Sequence, residues 1–364
     1  MKTSCLSAVI AGGGTGGHVF PALAVADKII SRGGQVRFVG TADKIEARLV
    51  PQAGYGIDFL NTRPLLGGGV SGALRGLAAV PLSLIRAAKL LRQIKPDVVF
   101  GVGGYVAGPV VLAARLIGIK NALLEQNATF GLANRLLLRH VDLVCLSYEE
   151  AAAACPHRRT RITGNPVREE ILKVRRAKRP RQQGRVFVLV MGGSQGASAI
   201  DQRVPRAIAQ AALQNEITVL HQCGSGNEQM VRRSYGEAGV SAEIARFIDD
   251  MAAAYAQADV VVSRAGATTI SELTAVGLPA VLLPYPHHVD RQQEKNAEPM
   301  KRAHAAIVLD EQKTGISEMA EAITGFVRDA KRRLEAAQSS AALGRPEAAH
   351  HIAEALIELA GGRR

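Results

Sequence analysis

The chain has 364 residues, 47% of them hydrophobic, with 37 glycines, no Trp and only 4% aromatics. That length exceeds what one hydrophobic core usually fills, so two domains are expected, and the scarcity of rings argues against a base-stacking nucleic-acid platform. The net charge of +13 is uneven: residues 1–163 hold 19 Lys/Arg against 9 Asp/Glu, a field that suits an anionic membrane, nucleic acid or plain solubility without choosing among them.

In chain order, an apolar run at 8–11 ends in a glycine turn. An apolar-periodic stretch over 21–30 follows, then a strand over 36–39. This is the β-α-β rhythm of a parallel sheet. It recurs at 97–100 before Gly101-Val102-Gly103-Gly104, at 122–124 and at 143–145. Between Phe59 and Pro96 there is no acid, while Arg63, Arg75, Arg86, Lys89, Arg92 and Lys95 accompany Leu77, Val80, Leu84, Leu91 and Ile94. Basic and apolar together read as an interfacial surface, or equally as a core helix with a solvated basic face.

Residues 173–185 carry seven Lys/Arg and no acid, the composition of an exposed connector. The rhythm then restarts: 186–190 feeds Gly192-Gly193-Ser194-Gln195-Gly196, strands follow at 219–220 and 259–262, and 280–283 ends at Pro284. Two doubly wound sheets in series are expected, with domains at 1–163 and 164–345. An amphipathic closing helix over 346–364 could pack back on the first domain. Cys5, Cys145, Cys155 and Cys223 show no metal-ligand spacing and read as reduced thiols of a cytoplasmic protein. No leader pattern and no apolar run of membrane-spanning length is seen.

Residues 12–17 fit G-x-G-x-x-G between a strand and a helix, the dinucleotide fingerprint. Such a site also wants an acid about 20 residues on for the ribose diol; residues 32–39 have none, and Asp43 comes too late. The loop still supplies backbone N–H groups at a helix N-terminus, with His18 at its end as a candidate general base. In the second half, the 192–197 loop offers amides and the Ser194 hydroxyl to a phosphate. Gly266-Ala267-Thr268-Thr269 opens a helix that carries Glu272 one turn in, so amides can hold a diphosphate while a carboxylate takes the ribose hydroxyls. No D-x-D occurs, so no metal is expected on the diphosphate, and Arg168 after Gly164-Asn165-Pro166-Val167 is the candidate cation for the leaving group.

Together these motifs resemble the MurG family of peptidoglycan glycosyltransferases, which have the GT-B fold of two Rossmann-like domains facing a cleft. The resemblance runs in order through Gly13–His18 with Pro21-Ala22-Leu23, Gly103-Gly104-Tyr105, Glu125-Gln126-Asn127 and Gly131-Leu132-Ala133-Asn134. It continues through Gly164 to Arg168, Gly192 to Ala197, Phe247 to Met251, Ser263 to Glu272, and Asp290-Arg291-Gln292-Gln293 with Asn296-Ala297. It implies inverting transfer of GlcNAc from UDP-GlcNAc to the C4 hydroxyl of the muramoyl sugar of undecaprenyl-diphosphate-linked lipid I, giving lipid II. The enzyme would be peripheral on the cytoplasmic side of the inner membrane, without cofactor and without nucleic acid. In the roles so implied, Ile248 pairs with uracil through its backbone and Glu272 holds the ribose. Ser194, Arg168 and the helix opening at Ala267, Thr268 and Thr269 hold the diphosphate, Ile270 and Ser271 belong to the same UDP-GlcNAc-binding stretch, and Gln292 and Asn127 address the sugar. Thr15, Gly16 and Gly17 face the reacting centre with His18 as general base, Glu125 being the reserve candidate. Leu124 departs from the His that related sequences often carry before Glu-Gln-Asn. The rival readings are another GT-B transferase, a UDP-GlcNAc epimerase, a nicotinamide oxidoreductase, and a basic adaptor without catalysis.

Overall fold

The computed structural model describes residues 5–60, 69–155, 159–176, 184–193, 196–287 and 290–361, with the helical backbone alone for 69–80. The chain divides into two compact units, Met1–Arg168 with Pro346–Arg364, and Glu169–Arg345. Among the described residues the strands form two all-parallel sheets of seven and six strands.

The first unit contains β1 (Ser7–Gly12), β2 (Gln35–Gly40), β3 (Ile57–Phe59), β4 (Val98–Gly103), β5 (Lys120–Glu125), β6 (Leu143–Leu146) and β7 (Thr160–Ile162), in the order β3-β2-β1-β4-β5-β6-β7. Apolar runs such as Ala8, Val9, Ile10 and Ala11 are at most 1% exposed because helices cover both faces of the sheet. Its helices are α1 (Gly16–Ile30), α2 (Glu46–Gln52), α3 (Gly69–Ile94), α4 (Ala107–Leu116), α5 (Leu132–Leu137) and α6 (Glu149–Ala153). Helix α1 starts five residues before the apolar periodicity does, since Gly16, Gly17 and His18 contribute no apolar signal, and it takes Pro21 into its interior.

The second unit begins with α7 (Glu169–Arg176) and holds β8 (Val186–Met191), α8 (Ser198–Gln210), β9 (Ile217–Gln222), α9 (Glu228–Glu237), β10 (Ala242–Ala245) and α10 (Met251–Gln257). β11 (Val260–Ser263), α11 (Ala267–Val276), β12 (Ala280–Leu282), α12 (Gln292–Arg302), β13 (Ala306–Val308), α13 (Ile316–Val327) and α14 (Ala330–Leu343) complete it. The sheet order is β10-β9-β8-β11-β12-β13. The expected connector is in part an element: residues 173–176 are the end of α7, which buries Ile171, Leu172 and Val174 and packs on α10 and α11. Its cations hid an apolar face only a few residues long. Residues 177–183 lie outside the described set.

The chain returns to the first unit as α15 (Ala348–Gly361), whose Ile352, Ala353 and Leu356 share a core with Val25, Ala26 and Ile29 of α1. Ion pairs from Arg32 to Glu354 and from Arg161 to Glu358 flank that seam. Among the described residues, no helix is long and apolar enough to cross a membrane.

Candidate active site

In each sheet the strand order reverses once, between β1 and β4 in the first unit and between β8 and β11 in the second. Open parallel sheets bind ligands outside the carboxyl ends of the strands at that switch point. All the glycine loops singled out in the sequence fall there: Gly12–Thr15 after β1, Gly103-Gly104 after β4, 192–197 after β8 and 264–266 after β11.

In the first unit the pairing of β1 with β4 slips by one residue, so that Gly12 sits opposite Gly103, and both Gly103 and Gly104 have positive φ (108° and 83°). A Cβ on Gly104 would stand 2.3 Å from the Gly13 carbonyl oxygen, and one on Gly103 would stand 2.7 Å from Nε2 of His18. These glycines therefore close the two loops onto each other and leave a slot for the imidazole. His18 is the third residue of α1, and its Nδ1 lies 3.2 Å from Oγ1 of Thr15. Burial holds its pKa below the ordinary 6.5, while the Gly13 carbonyl and the charge of Glu46 pull the other way. The imidazole is thus neutral at neutral pH, the form a proton acceptor requires.

Glu125, at the end of β5, has its carboxylate saturated. It accepts from the Asn127 backbone N–H (3.0 Å) and Nδ2 (3.2 Å), from the Gly131 N–H (3.1 Å) and from Nδ2 of Asn134 (2.9 Å). Burial raises its pKa and these four donors oppose the rise. With its acceptor positions filled, Glu125 organises the loop between β5 and α5 and draws the Asn127 amide group towards itself. Arg168, at the end of the first unit, lays its guanidinium 4.1 Å above the Phe20 ring of α1. That ring in turn occupies the space a side chain on Gly16 would need.

In the second unit, Gly266 precedes α11, whose first turn, Ala267 to Thr269, lies at the positive end of the helix dipole. Glu272 is 7% exposed and accepts a 2.9 Å hydrogen bond from the Tyr255 hydroxyl of α10. Ile270 is buried, and the Ser271 hydroxyl donates back to the Ala267 carbonyl at 2.9 Å, so both side chains build the helix. Ile248 lies between β10 and α10, and neither its N–H nor its C=O bonds another backbone group among the described residues. That leaves an amide edge of the kind a pyrimidine can pair with. Ser194 lies outside the described residues; around it, Gly192 packs so closely that a Cβ would stand 2.4 Å from the Ala197 nitrogen.

The segment before Gly266 is clamped by α12. Oε1 of Gln293 accepts from the N–H groups of Ala265 (3.2 Å) and Tyr285 (2.9 Å), and Nδ2 of Asn296 donates to the Ala265 carbonyl (3.3 Å). Arg264, nearest the loop by sequence, is tied to Glu311 and to the Leu283 carbonyl (3.0 Å). Gln292 opens α12 directly after Arg291, which adopts a left-handed conformation (φ 48°, ψ 38°) costing roughly 1–2 kcal/mol for a residue with a Cβ. Among the described residues, no three His, Cys, Asp or Glu side chains gather as a metal site. Reading by motif missed Glu46 and Tyr255 and gave no role to Gln293 and Asn296 of the 290–297 motif; each acts on a motif from a distant element.

Two parallel-sheet α/β units, each with glycine loops at its switch point, one presenting a neutral histidine and the other a helix N-terminus with a buried carboxylate, define a two-domain glycosyltransferase. Residues 8–145 match the glycosyltransferase family 28 N-terminal domain and residues 187–352 its C-terminal domain. A curated relative from Myxococcus xanthus is 40% identical over 97% of this chain and 93% of its own length. One from Shewanella baltica is 40% identical over 97% of both; each is named UDP-N-acetylglucosamine-N-acetylmuramyl-(pentapeptide) pyrophosphoryl-undecaprenol N-acetylglucosamine transferase. The crystal structure of Acinetobacter baumannii MurG superposes with a TM-score of 0.79 at 31% identity, covering 97% of this chain and 99% of that one. A calicheamicin glycosyltransferase, CalG4, shares the fold at 17% identity with a TM-score of 0.67. The chain belongs to the MurG family of N-acetylglucosaminyltransferases within glycosyltransferase family 28.

Proposed function

We propose that the protein transfers GlcNAc from UDP-GlcNAc to the C4 hydroxyl of the muramoyl sugar of lipid I, making lipid II with inversion at the anomeric carbon. The observation that carries this reading is the 40% identity to transferases of that name over nearly the whole chain. The second unit holds the nucleotide: the Ile248 backbone takes uracil, Glu272 the ribose, and the amides at Ala267 to Thr269, with Ser194, the diphosphate, for which Arg168 of the first unit is the candidate cation. Gln292 and Asn127 take the sugar. His18 accepts the C4 hydroxyl proton while that oxygen bonds to the anomeric carbon. The bond from that carbon to the diphosphate breaks, and its electron pair leaves on UDP. Cationic and N–H groups around the diphosphate stabilise the charge that develops there. Purified protein should move labelled GlcNAc from UDP-GlcNAc onto a lipid I analogue; no transfer under conditions where UDP-GlcNAc binds would overturn the reading.

The acceptor's polyprenyl chain requires work at a membrane surface. On α3 the exposed residues Leu82, Ile85, Arg86, Lys89 and Arg92 follow helical spacing, with Leu82 50% and Ile85 66% exposed. On α5, Leu132 and Leu136 are exposed one turn apart beside Arg135 and Arg139. Apolar side chains interleaved with cations suit the headgroup region of an anionic leaflet, where each cation contributes about 1 kcal/mol. This surface supports reading the enzyme as peripheral on the cytoplasmic side of the inner membrane. Replacing Leu82 and Ile85 together by Glu should cut cosedimentation with vesicles containing anionic lipid by about 10-fold, leaving UDP-GlcNAc affinity unchanged. Binding should also weaken in high salt. Equal sedimentation of variant and parent would remove the helix from the membrane contact.

A further inference from the structure

The glycine loop after β1 is the most conspicuous motif of the chain, yet its Gly14 N–H is already taken by a carboxylate of the protein itself. Glu46, the first residue of α2, is 1% exposed and reaches across the ends of β2 and β1. Its Oε2 accepts from the Gly14 N–H at 2.8 Å, and its Oε1 accepts from the Thr41 N–H at 3.0 Å and the Thr41 hydroxyl at 2.6 Å. Donors alone converge on its two oxygens, which is the geometry of an ionised carboxylate.

Two glycines exist to admit this side chain. A Cβ on Gly13 would fall 2.2 Å from Oε1, and one on Gly40 would fall 2.7 Å from Cγ of Glu46. On the other side of the same loop, Gly103 makes room for the His18 ring and Gly104 for the Gly13 carbonyl. Four glycines thus frame one assembly in which a buried carboxylate and an imidazole flank the Gly13-Gly14 peptides. A loop arranged to cradle a diphosphate would turn the Gly14 N–H outwards to its ligand. Here that N–H is spent on Glu46.

We propose that Glu46 is the positioning residue and counter-charge of the transfer: it fixes the Gly13-Gly14 segment against which His18 stands, and its carboxylate stabilises the imidazolium formed when His18 takes the acceptor proton. This rests on His18 being the base, a reading tested separately by the His18 variant. Among the described residues, Glu46 is the charged side chain whose field favours the protonated ring. A counter-charge held in place before the reaction favours the transition state, where the imidazole gains charge, over the ground state, where it has none.

The test compares Glu46→Gln, nearly the same shape without the charge, in the parent and in the His18→Ala background of the full-length chain. In the parent it should lower kcat about 10-fold or more with KM for UDP-GlcNAc within about twofold. In His18→Ala the same substitution should change the residual rate by less than about twofold, because the charge has lost the group it serves. Thr41→Val, which keeps the charge but deletes the 2.6 Å bond, should lower kcat about threefold under the same comparison, and it carries the test if Glu46→Gln does not fold. Equal losses in both backgrounds would make Glu46 a structural residue only. Unchanged kcat in both variants, or a loss confined to KM for UDP-GlcNAc, would likewise overturn the proposal. Unchanged activity in His18→Ala itself would instead overturn the assignment of the base.

Discussion

Replacing His18 with alanine should lower kcat by about 10²-fold or more while leaving the affinity for UDP-GlcNAc within about twofold, since general-base catalysis contributes roughly 10²–10⁴-fold. The split follows from its position. His18 is on α1 of the first unit, whereas the helix N-terminus, carboxylate and open amide edge suited to UDP are all in the second. The pH dependence has a definite sign. The base works when neutral, and burial holds its pKa below 6.5. The rate in the parent should therefore be on its plateau at neutral pH and fall only as the pH drops through that lowered value. The variant's residual rate should lack this acid limb. A variant that keeps kcat, or keeps the same acid limb, would transfer the proton to another group. Glu125 is poorly suited to receive the role, because freeing an oxygen would break hydrogen bonds that hold its own loop.

How far the molecule is legible in its sequence depends on how many faces of an element are buried. Interior strands such as β1, β4, β8 and β11 are covered on both sides, so they appear as unbroken apolar runs. The four strands without such a signal are β3, β7, β10 and β13, and they are the four sheet edges. Each is three or four residues long and carries exposed or half-exposed side chains, as in Ile57-Asp58-Phe59 and Thr160-Arg161-Ile162. The same limit applies to the site. Motifs contiguous in the chain, Gly12 to His18 and Gly266 to Glu272, are visible because one strand-turn-helix unit presents them. The groups that hold those motifs are not contiguous with them. The dinucleotide fingerprint places its acid near residues 32–39; the acid that holds the first loop is Glu46, 32 positions beyond the Gly14 amide it accepts from. Tyr255 lies 17 positions from Glu272, and Gln293 lies 28 from Ala265. No spacing rule relates such pairs, since each spacing is set by the element between them. Only the packing of neighbouring β-α units brings them together.

Glu272→Ala should weaken UDP-GlcNAc binding by about 10²-fold, the result of losing one or two hydrogen bonds from hydroxyls to a charged acceptor at roughly 1.5–3 kcal/mol each. The carboxylate is well placed for this strength. It is buried in α11, where water does not compete, and the Tyr255 hydroxyl fixes it from α10. The Tyr255 hydroxyl takes one of the carboxylate's roughly four acceptor positions. The alternative is that Glu272 only braces α10 against α11, and thermal unfolding alone would not separate the two, because both readings expect some loss of stability. Nucleotide discrimination does separate them. If the carboxylate holds the ribose, the parent should bind UDP about 10-fold or more tightly than 2′-deoxy-UDP, and Glu272→Ala should bind the two within about twofold. Tyr255→Phe should lower UDP affinity by a few-fold and keep the discrimination, since the carboxylate remains but is held less firmly. If the parent does not distinguish the two nucleotides, or the alanine variant still does, the ribose is held elsewhere and Glu272 is a brace between two helices. A retained preference in Tyr255→Phe beside a lost one in Glu272→Ala would assign the contact to the carboxylate and its aim to the tyrosine.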